Sequence, residues 1–102
     1  MEKLKPTYDL DSIKAEFTSV EKLRITRTAT DTAFALGYWL QDVVDVIQGM
    51  SRSHFVKSMT SLADHRVWQD VYNVRHRGRR LYVKFTVDAD GDLLISFKEK
   101  ES

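Results

Sequence analysis

The chain predicts an α+β domain in which an antiparallel β-sheet packs on N-terminal helices. Three observations lead there. Apolar residues of the first half recur at three- and four-residue spacing, the period of an amphipathic helix. After Ser51 the period falls to two, as in half-buried strands. The alternating segments are joined by short turn-like runs, the connection that suits antiparallel neighbours. At 102 residues, with 42% hydrophobic and 30% charged residues, a single soluble domain spanning 1–102 is expected.

Leu10, Ile13, Phe17 and Val20 line one face of a first helix, and Asp9 or Asp11 is placed to cap it. In KLRIT, Leu23 and Ile25 alternate with polar residues, which reads as a short strand. A second helix is expected from about Thr30, with Gly37 ending it in a left-handed conformation. A third runs from about Trp39 to Gln48 on the stripe Leu40, Val43, Val44 and Ile47, and Gly49 suits its stop. Four strands follow: HFVKSMT, VWQDVYN, RLYVKFTV and LLISFKE. LADHR, RHRG and DADGD connect them.

Alternation in the last two strands is clear. Leu81, Val83, Phe85 and Val87 point one way and Tyr82, Lys84 and Thr86 the other, so Tyr82 and Lys98 belong on an open face opposite the helices. The first two strands are less decisive. Turning Gln69 outward sends Asp70 inward, a buried carboxylate that a bulge or an edge position would relieve. Trp39 and Trp68 read as core residues rather than base-stacking platforms.

The chain has no cysteine, which removes disulfides, thiolate metal sites and a thiol nucleophile and suits a reducing cytoplasm. No stretch approaches the ~20 apolar residues of a membrane span, and none resembles a signal peptide. The net charge of +1 is unevenly spread. Residues 52–84 hold eight Lys/Arg against two Asp/Glu, whereas 1–51 hold six against eight and 85–102 two against five. A basic middle third is an electrostatic footprint for a polyanion or, more plainly, a solvated face. RHRGRR, residues 75–80, reads either as a surface turn or as a mobile basic loop that tracks phosphates. His54, His65 and His76 lack the compact spacing of metal ligands, and DADGD lacks the spacing and closing Glu of a calcium loop. No metal or cofactor is therefore expected.

Lys57, Gln69, Tyr82, Lys84 and Lys98 come from four strands and would converge on one sheet face. They contain no carboxylate pair and no Ser-His-Asp set. They suit phosphodiester chemistry on RNA, where the 2′-OH is an internal nucleophile. The protein must align it, neutralise the phosphate and deliver a proton to the departing oxygen. Clustered cations lower the pKa of a neighbouring lysine.

SHFVKSMTSLADHRVWQDVY, LYVKFTV and LLISFKEK together resemble the MqsR (motility quorum-sensing regulator) family of bacterial toxins. The similarity is strongest from about Met50 to Lys100 and weaker in the N-terminal half, through Pro6, RITR and the helical layout. The resemblance implies a RelE-like mRNA interferase fold. It also implies a toxin of a type II toxin–antitoxin pair that cuts messenger RNA at GC-containing, GCU-like sites. The implied partner is an MqsA-like antitoxin with a zinc-binding N-terminal domain and a helix-turn-helix C-terminal domain. The family's key residues fall on Lys57, Gln69, Tyr82 and Lys98, expected to be catalytic. Met59, Arg75, Arg77, Arg79, Arg80 and Lys84 are expected to bind RNA. Departures are the absence of a Pro after Tyr72, the added arginines of RHRGRR, a longer DADGD turn, and Thr7 or Tyr8 where the family has a histidine. A non-catalytic RNA- or protein-binding module and a ribosome-dependent nuclease are the alternatives.

Overall fold

The computed structural model describes residues 1–100. Three helices, α1 (Leu10–Glu16), α2 (Arg27–Ala35) and α3 (Leu40–Gln48), cover one face of a five-stranded antiparallel sheet. The strands are β1 (Glu2–Lys3), β2 (Phe55–Thr60), β3 (Trp68–His76), β4 (Arg79–Val87) and β5 (Leu93–Glu99), in spatial order β1-β2-β3-β4-β5. The α+β class and the helices on one sheet face are as the sequence predicts.

Caps set the helix boundaries. The Asp9 carboxylate accepts from the Ser12 amide at 3.1 Å and so starts α1. The helix is shorter than its apolar stripe suggests. It ends at Glu16, where Phe17 becomes the C-cap, and Val20 begins a separate 3-10 turn. Thr26 caps α2 through its hydroxyl, accepting from the Ala29 amide at 3.1 Å, so α2 begins three residues before Thr30. The same cap shortens the KLRIT strand to one parallel bridge between Ile25 and Ile95. The Ile95 amide donates to Arg24, and the Thr26 amide donates to Ile95. Gly37 follows α2 with φ +81°, the left-handed geometry expected of it.

The core lies between the two layers. Ile13, Phe17, Ala33, Val43 and Ile47 from the helical side meet Tyr72, Leu81, Val83, Phe85, Ile95 and Phe97 from the sheet, all fully buried or nearly so. At roughly 1.5–3 kcal/mol for each large apolar side chain, this interface is the main stabilising contribution. The open face of β4 keeps Tyr82, Lys84 and Thr86, as alternation requires.

Two expectations need correction. Asp70 points inward and is completely buried on the central strand β3, relieved by neither an edge nor a bulge. The N-terminal segment relieves it. The Thr7 amide donates to both carboxylate oxygens at 3.1 and 2.9 Å, and the Tyr8 amide donates at 2.8 Å. Trp39 is not core: it is 73% exposed at the start of α3. Trp68 is half-buried beneath the Lys3 ammonium, 4.2 Å from the ring centroid. Of the two readings of RHRGRR, the surface turn is the one the backbone adopts. His76 pairs with Arg79, which leaves a two-residue turn, Arg77-Gly78, with φ of +51° and +74°. Positive φ at both positions matches a type I′ turn, whose twist suits a tight hairpin. DADGD is a turn as expected. The Asp88 carboxylate accepts from the amides of Asp90 and Asp92, and Arg24 ion-pairs with Asp88 and Asp92.

Candidate functional site

The open face is built from cross-strand rows. Lys57 lies opposite Val71, Val71 opposite Lys84, and Lys84 opposite Ser96, one row across four strands. In the next row Asn73 faces Tyr82, and Tyr82 faces Lys98. On the other side of the Lys57 row, Glu2 faces Met59 and Met59 faces Gln69. Adjacent strands stand ~4.8 Å apart, so residues from positions 2 to 98 come within a few side-chain lengths.

A bulge decides which way Lys57 points. Phe55 packs inward, edge-on to Tyr72 with ring centroids 5.5 Å apart. Under strict alternation Lys57 would follow it into the core. The β2–β3 register shifts between Phe55 and Lys57, which inserts Val56 as an extra residue. Lys57 then faces outward with Met59, while Ser58 and Thr60 turn inward and are buried.

A shallow cavity of about 280 Å³ opens on this face, lined by Val56, Lys57, Met59, Val71, Tyr82, Lys84 and Lys98. Five expected site residues thus come together. Gln69 stands outside the lining, across the ladder from Met59. The Lys98 ammonium lies 5.8 Å from the centroid of the Tyr82 ring and Lys100 lies 5.5 Å from it, a loose cation–π arrangement. Burial pushes the Lys84 amine below the ordinary lysine value, and the charges of Lys98 and Lys57 push it further. The expected depression of a lysine by its cationic neighbours therefore falls on Lys84.

One site neighbour carries no signal in the sequence. The Glu2 carboxylate accepts from the Lys57 ammonium at 2.7 Å, and that hydrogen bond holds its carboxyl below the usual carboxylate range. A two-residue strand is too short to carry an alternation signal. Glu2 reaches the face only because β1 pairs with the outer edge of β2.

The four arginines of the β3–β4 hairpin occupy different surroundings. Arg75 and Arg80 are directly opposite on the open face, exposed, and without an ion pair among the described residues. Like charges in a cross-strand pair repel, so this position favours an anion between them. Arg77, at the tip, donates to Asp42 at 2.8 Å and lies 5.2 Å from the Tyr38 ring centroid. Arg79 donates to Glu99 at 3.2 Å.

The family model described as motility quorum-sensing regulator, toxin of MqsA, matches residues 5–99. The chain belongs to the MqsR toxin family. The mRNA interferase toxin MqsR of Escherichia coli (strain K12) is 42% identical over 100 residues, which cover 98% of this chain and 100% of that protein. In this MqsR-family chain the open face collects Lys57, Tyr82, Lys84 and Lys98 around one cavity. Among the described residues, no helix is long and apolar enough to cross a membrane.

Proposed function

We propose that this chain is the toxin of a type II toxin–antitoxin pair and acts as an endoribonuclease on messenger RNA, in line with the name of its E. coli relative. The observation that carries the reading is the convergence of three lysines and a tyrosine around one shallow cavity of the open sheet face. Such a set neutralises a phosphodiester and holds it for in-line attack. The cognate partner is an MqsA-like antitoxin, with the zinc-binding and helix-turn-helix domains that the family resemblance implies. The site of action is the cytoplasm.

The reaction needs no metal. The RNA 2′-oxygen attacks phosphorus, the P–O5′ bond breaks, and the products are a 2′,3′-cyclic phosphate and a 5′-OH. Glu2, hydrogen-bonded to Lys57 beside the cavity, is placed to take the 2′-OH proton. Lys57 and Lys98 bear on the charge of the phosphate. Tyr82 positions it. Lys84, in the same cavity and with its ammonium more acidic than an ordinary lysine's, supplies the proton for the departing 5′ oxygen and is left as the amine. Gln69 and Met59, at the margin, orient the flanking RNA, with GCU-like sites as the preferred sequence. Arg75 and Arg80 hold its backbone.

Purified protein on naked RNA tests the whole reading. Cutting at defined sites in EDTA, with cyclic-phosphate ends, is the expected result. Replacing the 2′-OH at the cut nucleotide by hydrogen abolishes it. Cleavage of the deoxy-substituted RNA would remove the internal-nucleophile mechanism. Retention without cutting identifies a binding module, and cutting only with ribosomes identifies a ribosome-dependent nuclease.

A further inference from the structure

The exposed aromatic pair Phe34 and Trp39 forms a patch that the proposed reaction does not use. Trp39 is 73% exposed and Phe34 48%, with ring centroids 5.9 Å apart at a tilt of 56°. With Gly37 and Tyr38 they line a cavity of about 200 Å³. A Cβ atom at Gly37 would meet nothing within 4 Å, so this edge of the cavity stays open. Exposing two large aromatic rings together forfeits the burial that normally stabilises them, so the patch calls for an occupant.

Its neighbours indicate which occupant. The Trp39 amide donates to one oxygen of Asp42 at 2.8 Å, and Arg77 donates to the other oxygen at 2.8 Å. One carboxylate thus ties the aromatic pair to the tip of the β3–β4 hairpin. The hairpin's cations run around the end of the sheet. Arg75 and Arg80 lie on the open face, Arg77 at the tip, and Arg79 shares the side of Leu81, toward the helices. The row of guanidinium groups leads from the Tyr82 and Lys98 face to Trp39, with Arg77 and Arg79 sharing their charge with Asp42 and Glu99. Flat, exposed aromatic faces beside a basic track are the arrangement that stacks unpaired bases while cations follow the backbone.

We infer that Phe34 and Trp39 form a base-stacking subsite for single-stranded RNA that flanks the cut site and wraps the β3–β4 hairpin. The subsite rests on the nuclease reading for its ligand, and it adds a second, sequence-tolerant contact remote from the reacting phosphate. It makes RNA length a determinant of affinity.

The test uses the full chain and two single-stranded RNAs carrying a 2′-deoxy substitution at the cut nucleotide, so that they bind without being cut. One covers only the cut site; the other adds single-stranded extensions on both sides. Fluorescence anisotropy should show the extended RNA binding more tightly to the parent, on the order of 10-fold. The Phe34→Ala/Trp39→Ala double variant should lose that advantage yet bind the short RNA, and cut its all-ribose form, as the parent does. Trp39→Phe should keep most of the advantage. The chain has two tryptophans, so in a Trp68→Phe background the emission of Trp39 should be quenched by the extended RNA and not by the short one. A length advantage that survives in the double variant would overturn the inference. If the double variant instead loses affinity for the antitoxin and keeps its preference for long RNA, the patch is a protein-docking surface. Equal binding of short and extended RNA by the parent removes the subsite alone, whereas binding of neither removes the nuclease reading with it.

Discussion

At the scale of single residues, the site depends on a few side chains whose surroundings assign them different work. Lys57→Ala, Tyr82→Phe and Lys98→Ala each remove one donor from the lining of the cavity. Each should cut the single-turnover cleavage rate ~100- to 1000-fold. Because all three face outward, circular dichroism and the denaturation midpoint should be close to those of the parent. Gln69→Ala should act mainly on KM, since Gln69 lies outside the cavity beside Met59. Lys84 carries the most specific expectation. Its amine should titrate below an ordinary lysine in a 15N or 13C NMR experiment, and Lys98→Ala should move it part of the way back. The return is partial because burial, not Lys98, is the larger cause. Glu2 is tested by pH. A base acts when deprotonated, so activity falls as pH drops through its pKa, and the bond from Lys57 places that limb below the ordinary value of 4.5. Glu2→Gln should remove the limb and lower the rate by about 100-fold or more. An unchanged limb in that variant would assign the base elsewhere.

At the scale of elements, the N-terminal segment is fastened to the sheet by a buried carboxylate, and the basic residues belong to a hairpin. Asp70 accepts hydrogen bonds from the amides of both Thr7 and Tyr8. Asp70→Ala removes three charge-assisted hydrogen bonds that fasten the N-terminal segment and leaves a void at a fully buried position, and should destabilise the fold by about 2–4 kcal/mol, read from the denaturation midpoint. It should also loosen the strand that carries Glu2, so proteolytic nicking near the N-terminus should rise. A variant as stable as the parent would mean that the segment is held by something else. In the hairpin, Arg77 and Arg79 already answer carboxylates whereas Arg75 and Arg80 do not within the described residues. Neutralising Arg75 and Arg80 should flatten the logarithmic salt dependence of RNA binding, its slope falling by roughly 0.7 for each phosphate no longer neutralised. The corresponding change at Arg77 and Arg79 should be smaller, because carboxylates of the protein itself already offset part of their charge.

At the scale of the whole molecule, the sheet has two unequal edges. β5 is partly covered by the Ile25 bridge, and β1 is only two residues long, so beyond it the outer edge of β2 is available. An antitoxin that adds a strand there would sit beside Lys57 and displace Glu2, which blocks the site directly. Co-expression of the cognate antitoxin should relieve the growth arrest caused by the chain alone. Hydrogen exchange on the complex should show new protection in β2 rather than β5. Good soluble yield of the chain without any effect on host growth would count against the toxin reading.

The sequence by itself determined the three helices followed by the four long strands, the core stripe of α3 and the outward placement of Tyr82, Lys84 and Lys98. Those features rest on local periodicity, which a linear reading contains. It also carried the family, through KSMT, WQDVY, YVK and SFKEK. Only the tertiary structure decided the rest. Lys57 faces the site because one extra residue, Val56, breaks the alternation of β2, and a bulge leaves no periodic trace. Asp70 is tolerated in the core because amides more than 60 positions away in the chain reach it. Glu2 meets Lys57 across 55 positions by way of a strand too short to recognise. Trp39 is exposed although it begins an apolar helix, because Asp42 holds its amide at the cap and leaves its ring outside. Each of these depends on which distant segments meet, and pairing over long separations is set by the folded packing rather than by any window of residues.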